Sequence, residues 1–465
     1  MKQDKKQTIS RRDFFKTMGA AGIATAGLSA CGNNEKNDPA KTEKSGGMTY
    51  RINPTTGDKV SLLGYGCMRW PMIPNPDGNG EIVDQETVNS LVDYALAHGV
   101  NYFDTAPPYV RGLSETATGI ALSRHPRDTY YIATKMSNHH LARTGLRGDA
   151  LYKASLEMYY NSFKALKTDY IDYYLLHNVG GETGMPFLEL RFFESGVLDF
   201  LLEERKSGRI RNLGFSYHGD VKVFDYLLSL HDEIKWDFVQ IQLNYVDYRH
   251  ASGMNFNAEY LYAELAKRQI PAVIMEPLLG GRLASLQDYL NARLKQRRPT
   301  GSIASWAFRF SGTFPGVLTV LSGMTYMEHL QDNIRTYSPL EPCTEEELAL
   351  LENTAQEMLR YPSVPCTSCE YCMPCPYGIN IPGIFSHYNK CINEGNMPST
   401  SHDDNYRKAR RAFLVGYDRS VPRLRQASHC IGCNQCTPHC PQSIDIPSEL
   451  HRIDDYVEKM KQNTL

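Results

Sequence analysis

The run Tyr130-Tyr-Ile-Ala-Thr134, then Asp149-Ala-Leu-Tyr-Lys-Ala-Ser-Leu-Glu-Met-Tyr-Tyr-Asn-Ser-Phe-Lys-Ala-Leu166, then Tyr170-Ile-Asp-Tyr-Tyr-Leu-Leu176 decides the fold. Its outer pieces are short, aromatic and aliphatic, the pattern of strands buried on both faces. The middle piece mixes apolar and charged residues as an amphipathic helix does. The same strand–helix–strand alternation recurs along the chain. The strand candidates are Val60–Gly66, Val100–Asp104, Tyr130–Thr134, Tyr170–Leu176, Ile210–Ser216, Phe238–Gln242, Ala272–Glu276 and Leu318–Ser322. Helical patterns between them include Asp84–His98, Asp149–Leu166, Leu188–Ser207 and Asn257–Lys267. Eight such units predict an α/β fold, a (β/α)8 TIM barrel, with its active face at the C-terminal ends of the strands. A doubly wound sheet would announce itself with G-x-G-x-x-G after a first strand; Gly64-Tyr-Gly66 lacks the third glycine.

Eight of the 12 cysteines fall in two runs beyond the barrel: Cys366, Cys369, Cys372 and Cys375 before Pro376, then Cys430, Cys433, Cys436 and Cys440 before Pro441. The second run resembles the C-x2-C-x2-C-x3-C-P signature of bacterial ferredoxins, whose thiolates hold 4Fe-4S clusters. The first run is one residue shorter before its last cysteine. In two-cluster ferredoxins the fourth cysteine of a run ligates the other cluster. The resemblance therefore implies one cluster on Cys366, Cys369, Cys372 and Cys440, and another on Cys430, Cys433, Cys436 and Cys375. Structural zinc and disulfides are the alternatives, but zinc knuckles are usually paired C-x2-C units set well apart. Cys375-Pro-Tyr-Gly-Ile-Asn-Ile-Pro382 repeats as Cys440-Pro-Gln-Ser-Ile-Asp-Ile-Pro447, as a duplicated half-site would. Helical patterns at Thr344–Leu359, Ser386–Asn393, Asp404–Val415 and Ser448–Lys461 predict a mainly α-helical ferredoxin-like domain behind a connecting helix.

The predicted strand ends carry chemistry. Asp104 closes the second, with Tyr109 five residues on; Lys135 follows the third and His177 the fourth. The segment Asp104-Thr-Ala-Pro-Pro-Tyr109, with Ser114-Glu115 after it, resembles the catalytic-tyrosine segment of the aldo-keto reductases, and the likeness covers the whole barrel. The resemblance implies Tyr109 as acid/base, Lys135 paired with Asp104, and His177 as the residue that orients substrate. Hydride reduction of a carbonyl needs a proton donor at the developing alkoxide. A phenol of pKa about 10 suits that role when a cation steadies its anion. The same resemblance implies NADP(H) or NAD(H) held by Ser216, Gln240, Glu276, Leu278, Gly280, Ser322, Gly323, Met324 and Asn333. Gly323, Met324 and His329 stand where many members place a base for the 2′-phosphate, so the choice of nucleotide stays open. Leu243 replaces a common aromatic residue.

Ser10-Arg-Arg-Asp-Phe-Phe-Lys16 resembles the twin-arginine export signal, and Leu28-Ser-Ala-Cys31 a lipobox. Residues 1–30 are thus expected to be a signal peptide, 31–47 a polar tether, 48–343 the barrel and 344–465 the cluster domain. Cys31 would be the lipid anchor that holds the protein to a membrane of the cell envelope. The net charge of −2 gives no reason to expect nucleic acid. The expected activity is interconversion of a carbonyl and an alcohol, with an envelope or membrane electron donor or acceptor. The alternative is an electron-relay lipoprotein whose barrel is catalytically silent.

Overall fold

The computed structural model describes residues 47–465 apart from 182, 253, 254 and 361. The expected signal, the anchor Cys31 and nearly all of the tether lie outside the described residues. Eight parallel strands close a barrel in sequence order: β1 (Leu63–Gly66), β2 (Tyr102–Asp104), β3 (Tyr131–Met136), β4 (Ile171–Val179), β5 (Ile210–Tyr217), β6 (Phe238–Gln242), β7 (Ala272–Met275) and β8 (Val317–Ser322). β8 pairs with β1 through Val320 and Leu63 to complete the ring. The lower interior is filled by aromatic side chains. Tyr173 meets Tyr102 edge-on at 5.0 Å and Phe238 at 5.1 Å, within one buried cluster. Open space is therefore confined to the upper rim, as side-chain layers inside such barrels dictate.

Two expected elements divide. Val60 belongs to Lys59–Ser61, which pairs antiparallel with Tyr50–Ile52, while the barrel strand starts at Leu63. The chain turns there because the Ser61 hydroxyl donates to the Leu63 carbonyl and the Leu62 amide to Thr49, at 2.7 and 2.8 Å. The predicted helix Leu188–Ser207 is broken before Val197 by Gly196, whose φ of 75° no ordinary helix allows. Upstream are Met185–Leu188 and a wide turn, Glu189–Phe193.

The connecting helix, Glu345–Met358, starts with a reciprocal cap between Thr344 and Glu347. It is fastened to the barrel wall. Glu347 bonds Arg309 at 2.6 Å and Arg298 at 2.7 Å, and these bonds outweigh burial and hold its carboxyl at about 2. His250 reaches Glu352 and Arg293 reaches Glu357, both at 2.7 Å. Beyond it, Ile381–Asn393, Tyr406–Ser420 and Ile446–Gln462 pack around a core that includes Ile384, Phe413 and Ile453. The duplicated sequence has a structural cause. After each cysteine run an Asn380 or Asp445 side chain caps a helix, accepting from the Gly383 or Ser448 amide, with proline in the first turn. No described helix is long and apolar enough to cross a membrane.

Candidate active site and cluster sites

Asp104 is the last residue of β2, Lys135 lies near the end of β3, and His177 lies near the end of β4. Adjacent parallel strands in register bring these ends to one rim. Tyr109 follows β2 in a tight turn whose next residues, Val110 and Arg111, take φ of 51° and 54°. All four expected residues line one cavity of about 840 Å³. Lys135 is fully buried; its ammonium donates to Asp104 Oδ1 at 2.6 Å and to the Thr105 carbonyl at 2.8 Å. Its Nζ sits 4.8 Å from the centre of the Tyr109 ring. Burial lowers the Lys135 pKa and raises that of Asp104, and their ion pair opposes both shifts. Ser114 and Glu115 brace the site from below: Ser114 bonds Thr105 at 2.8 Å, and Thr134 donates to Glu115 at 2.6 Å.

His177 meets the Tyr109 ring edge-on at 5.9 Å, and its Nδ1 lies 2.6 Å from the Ser137 hydroxyl. Burial, then the charges of Lys135 and Arg191, hold its pKa well below 6.5, so the ring is neutral at pH 7. Tyr109 is pushed well above 10, first by burial and then by Tyr371, Asp104 and Glu276. The sequence suggests that Lys135 would ease its ionisation. In the resting protein burial and the acidic neighbours prevail, and Tyr109 stays a protonated phenol. That is the form a proton donor must start from.

The residues expected at a nucleotide mostly share this cavity: Ser216, Gln240, Glu276, Leu278, Gly280, Ser322, Gly323 and Asn333 all line it. Met324 does not; it is buried beneath the wall, where its carbonyl accepts from Tyr65 at 2.5 Å. Gln240 pairs in register with Ser216, whose Oγ accepts the Asn178 amide at 2.9 Å. The Gln240 Oε1 is buried without a partner. A carboxamide N–H₂ would satisfy it, so the residues fit a nicotinamide here. At the far end Asn333 donates to Ser322 Oγ at 3.0 Å, and Arg335, paired with Asp332 at 2.9 Å, also lines the space.

The two cysteine runs lie beside each other, and most of their cysteines pack against one core. Burial and then the neighbouring Cys369, Cys366, Cys440 and Cys436 raise the pKa of the Cys372 thiol, and burial followed by Cys430, Cys375 and Cys433 raises that of Cys436. A small cavity is bounded by Cys366, Cys369, Cys372 and Cys440, with Ile381, Phe385, Ile444 and Ile446 around it. Four thiols facing an apolar chamber suit a 4Fe-4S cube. Every described cysteine is a free thiol, and no group of three His, Cys, Asp or Glu among the described residues closes on a single ion.

Sequence reasoning misses how the two parts meet. Tyr371, between Cys369 and Cys372, lines the barrel cavity together with Tyr109 and is near enough to help raise the pKa of its phenol. In the same run the Ser368 amide donates to the Cys366 sulfur at 3.4 Å. Cys369 of the first run and Tyr109 of the barrel thus line the same cavity, with Tyr371 between the cysteines. Arg69 donates to the Thr367 and Ser368 carbonyls at 2.7 and 3.2 Å, and Gln442 to Gln242 at 3.3 Å. Thr367, Ser368, Cys369, Tyr371 and Gln442 therefore roof the catalytic cavity. An aromatic residue inside a cysteine run was the available signal, but nothing local points it at the barrel.

The aldo/keto reductase family model matches residues 63–355, and a 4Fe-4S dicluster model matches 365–445. Protein tas of Escherichia coli K12 is 27% identical over 357 residues, covering 68% of this chain and 100% of that one. L-galactose dehydrogenase of Arabidopsis thaliana is 25% identical over 313 residues, covering 63% of this chain and 89% of its own length. Among solved structures, the aldo-keto reductase AKR11C1 of Bacillus halodurans, in holo form, superposes with a TM-score of 0.51 at 23% identity, covering 66% of this chain and 96% of that one. The thermostable aldo-keto reductase Tm1743 gives 0.50 at 25% identity, covering 66% and 99%.

Proposed function

The chain belongs to the aldo/keto reductase family, and we propose that it interconverts a small carbonyl compound and its alcohol, using a nicotinamide nucleotide bound in the barrel and two 4Fe-4S clusters mounted over it. One observation carries this reading. Asp104, Tyr109, Lys135 and His177 converge on a cavity that runs on to the unpartnered Gln240 amide oxygen. When bound, the nicotinamide supplies hydride and the clusters store single electrons. The chain does the rest. Tyr109 gives its proton to the substrate oxygen, neutral His177 orients that oxygen, and Lys135 with Asp104 fixes the charge beneath the phenol. Buried donors aimed at a developing oxyanion are worth several kcal/mol of barrier. Arg335 at the far end supports NADPH, once a 2′-phosphate replaces Asp332 as its partner. Residues 10–16 and 28–31 support twin-arginine export and lipid anchoring at Cys31, with the electron donor or acceptor in the cell envelope or its membrane.

A second reading, an electron relay with a silent barrel, is favoured by Tyr371, which lines the cavity beside Tyr109 and narrows the room for a substrate there. Reduction of 4-nitrobenzaldehyde by NADPH or NADH, followed by nucleotide absorbance, separates the two. The enzyme reading predicts turnover that falls about 10²–10⁴-fold in Tyr109→Phe with cluster absorbance unchanged. Turnover unaffected by Tyr109→Phe contradicts it.

A further inference from the structure

The two cysteine groups differ in exposure. Cys369 of the first lines the barrel cavity, whereas Cys433 of the second is exposed to solvent. Around that second site the surface is unusually apolar for exposed side chains. Leu424 is 80% exposed, Ile431, next to the ligand Cys430, is 63% exposed, and Tyr377, two residues past the ligand Cys375, is 46% exposed. Hydrogen bonds draw these three segments together. Arg425 Nε donates to the Gly378 carbonyl at 3.1 Å, and the His429 ring lies 3.1 Å from the Arg423 carbonyl.

Basic residues flank this apolar patch. Residues 415–432 carry Arg419, Arg423 and Arg425 and a single carboxylate, Asp418. Arg423 is 85% exposed, and its ion pair with Asp418 spans 3.7 Å, too long to neutralise it in water. The molecule as a whole is slightly acidic, with net charge −2, so this concentration of positive charge is local. Arginines flanking exposed apolar side chains, beside an exposed cysteine ligand, suit a steered and transient encounter.

We propose that the surface formed by Leu424, Ile431 and the flanking Arg419 and Arg423 is the docking site for an acidic one-electron carrier protein that exchanges electrons with the second cluster. The step is a single electron transfer: the reduced carrier loses one electron and the Cys430, Cys433, Cys436 and Cys375 cluster gains it, with no bond made and no proton moved. The reverse drains the pair. The proposal rests on the two-cluster reading and not on the carbonyl chemistry, so either can fail without the other.

The test uses the full-length protein with both clusters in place and a reduced acidic ferredoxin as the probe. Stopped-flow absorbance follows oxidation of the ferredoxin. The second-order rate falls at least about tenfold between about 20 and 200 mM salt, because exposed charges are screened within a Debye length. It falls at least about another tenfold in Arg419→Glu/Arg423→Glu, while dithionite still reduces both clusters to the full spin count. Leu424→Asp, which leaves both arginines in place, slows the same exchange. A rate indifferent to salt and to charge reversal overturns the assignment, as does faster exchange with a basic cytochrome. Binding to phosphatidylglycerol vesicles that charge reversal abolishes, with ferredoxin exchange unchanged, overturns it in favour of a membrane surface.

Discussion

Tyr109, Lys135, Asp104 and His177 were legible from the sequence because strand-end residues of neighbouring parallel strands must share one rim. Their protonation states were less so. Burial dominates each shift, and burial belongs to the assembled site rather than to any motif. His177 is held well below 6.5 and Tyr109 well above 10, so neither changes charge near neutrality. Lowering the pH from 7 toward 6 leaves His177 neutral, since its pKa lies below the range crossed. Raising it toward 9 leaves Tyr109 protonated. Neither group therefore adds a limb to the rate constant for carbonyl reduction between about pH 6 and 9, measured as kcat with saturating NADPH and 4-nitrobenzaldehyde. A limb centred near 6.5 would mean an exposed imidazole in the chemistry. Tyr371 escaped notice for the opposite reason. Tyr109, beside which it lines the cavity, is far away in sequence, and no periodicity encodes how a ligand loop seats across a domain boundary.

At the scale of elements, the hydrophobic pattern placed every barrel strand, and it missed where backbone hydrogen bonds and glycine set the ends. Ser61 turns the first expected strand and Gly196 breaks the fourth expected crossover helix. The turn after β7 shows how much such detail decides. Gly280 has φ of 67°, and a Cβ there would stand 2.2 Å from the Thr367 backbone of the first cysteine run. Only glycine allows both the conformation and the close approach. Gly280→Ala therefore costs more than about 1 kcal/mol and displaces the loop that carries Cys366 and Cys369. The expected result is a lower melting temperature together with loss of iron per chain. An unchanged melt and full iron content would show that the cluster loop is not seated on this turn.

At the scale of the molecule, the boundary drawn at Thr344 separates composition more cleanly than it separates contacts. The helix Glu345–Met358 is ion-paired to the barrel, and the cysteine loops beyond it roof the catalytic cavity. The loop of the first cysteine run thus forms part of the wall of the barrel cavity, while Cys433 of the second run is exposed. The two cysteine runs were visible in the sequence, and the resemblance to two-cluster ferredoxins implied how they pair; the docking of the first run onto the tetrad was not legible, because it depends on shape rather than on repeat. The account stands or falls on whether nucleotide and clusters occupy the same molecule. Protein purified anaerobically from its own host, denatured and assayed for released NADP(H) or NAD(H), iron and sulfide, should yield close to one nucleotide for every eight irons and eight sulfides, the content of two 4Fe-4S clusters. Full iron and sulfide with no nucleotide, and none taken up when NADPH or NADH is added to the native protein, would contradict it.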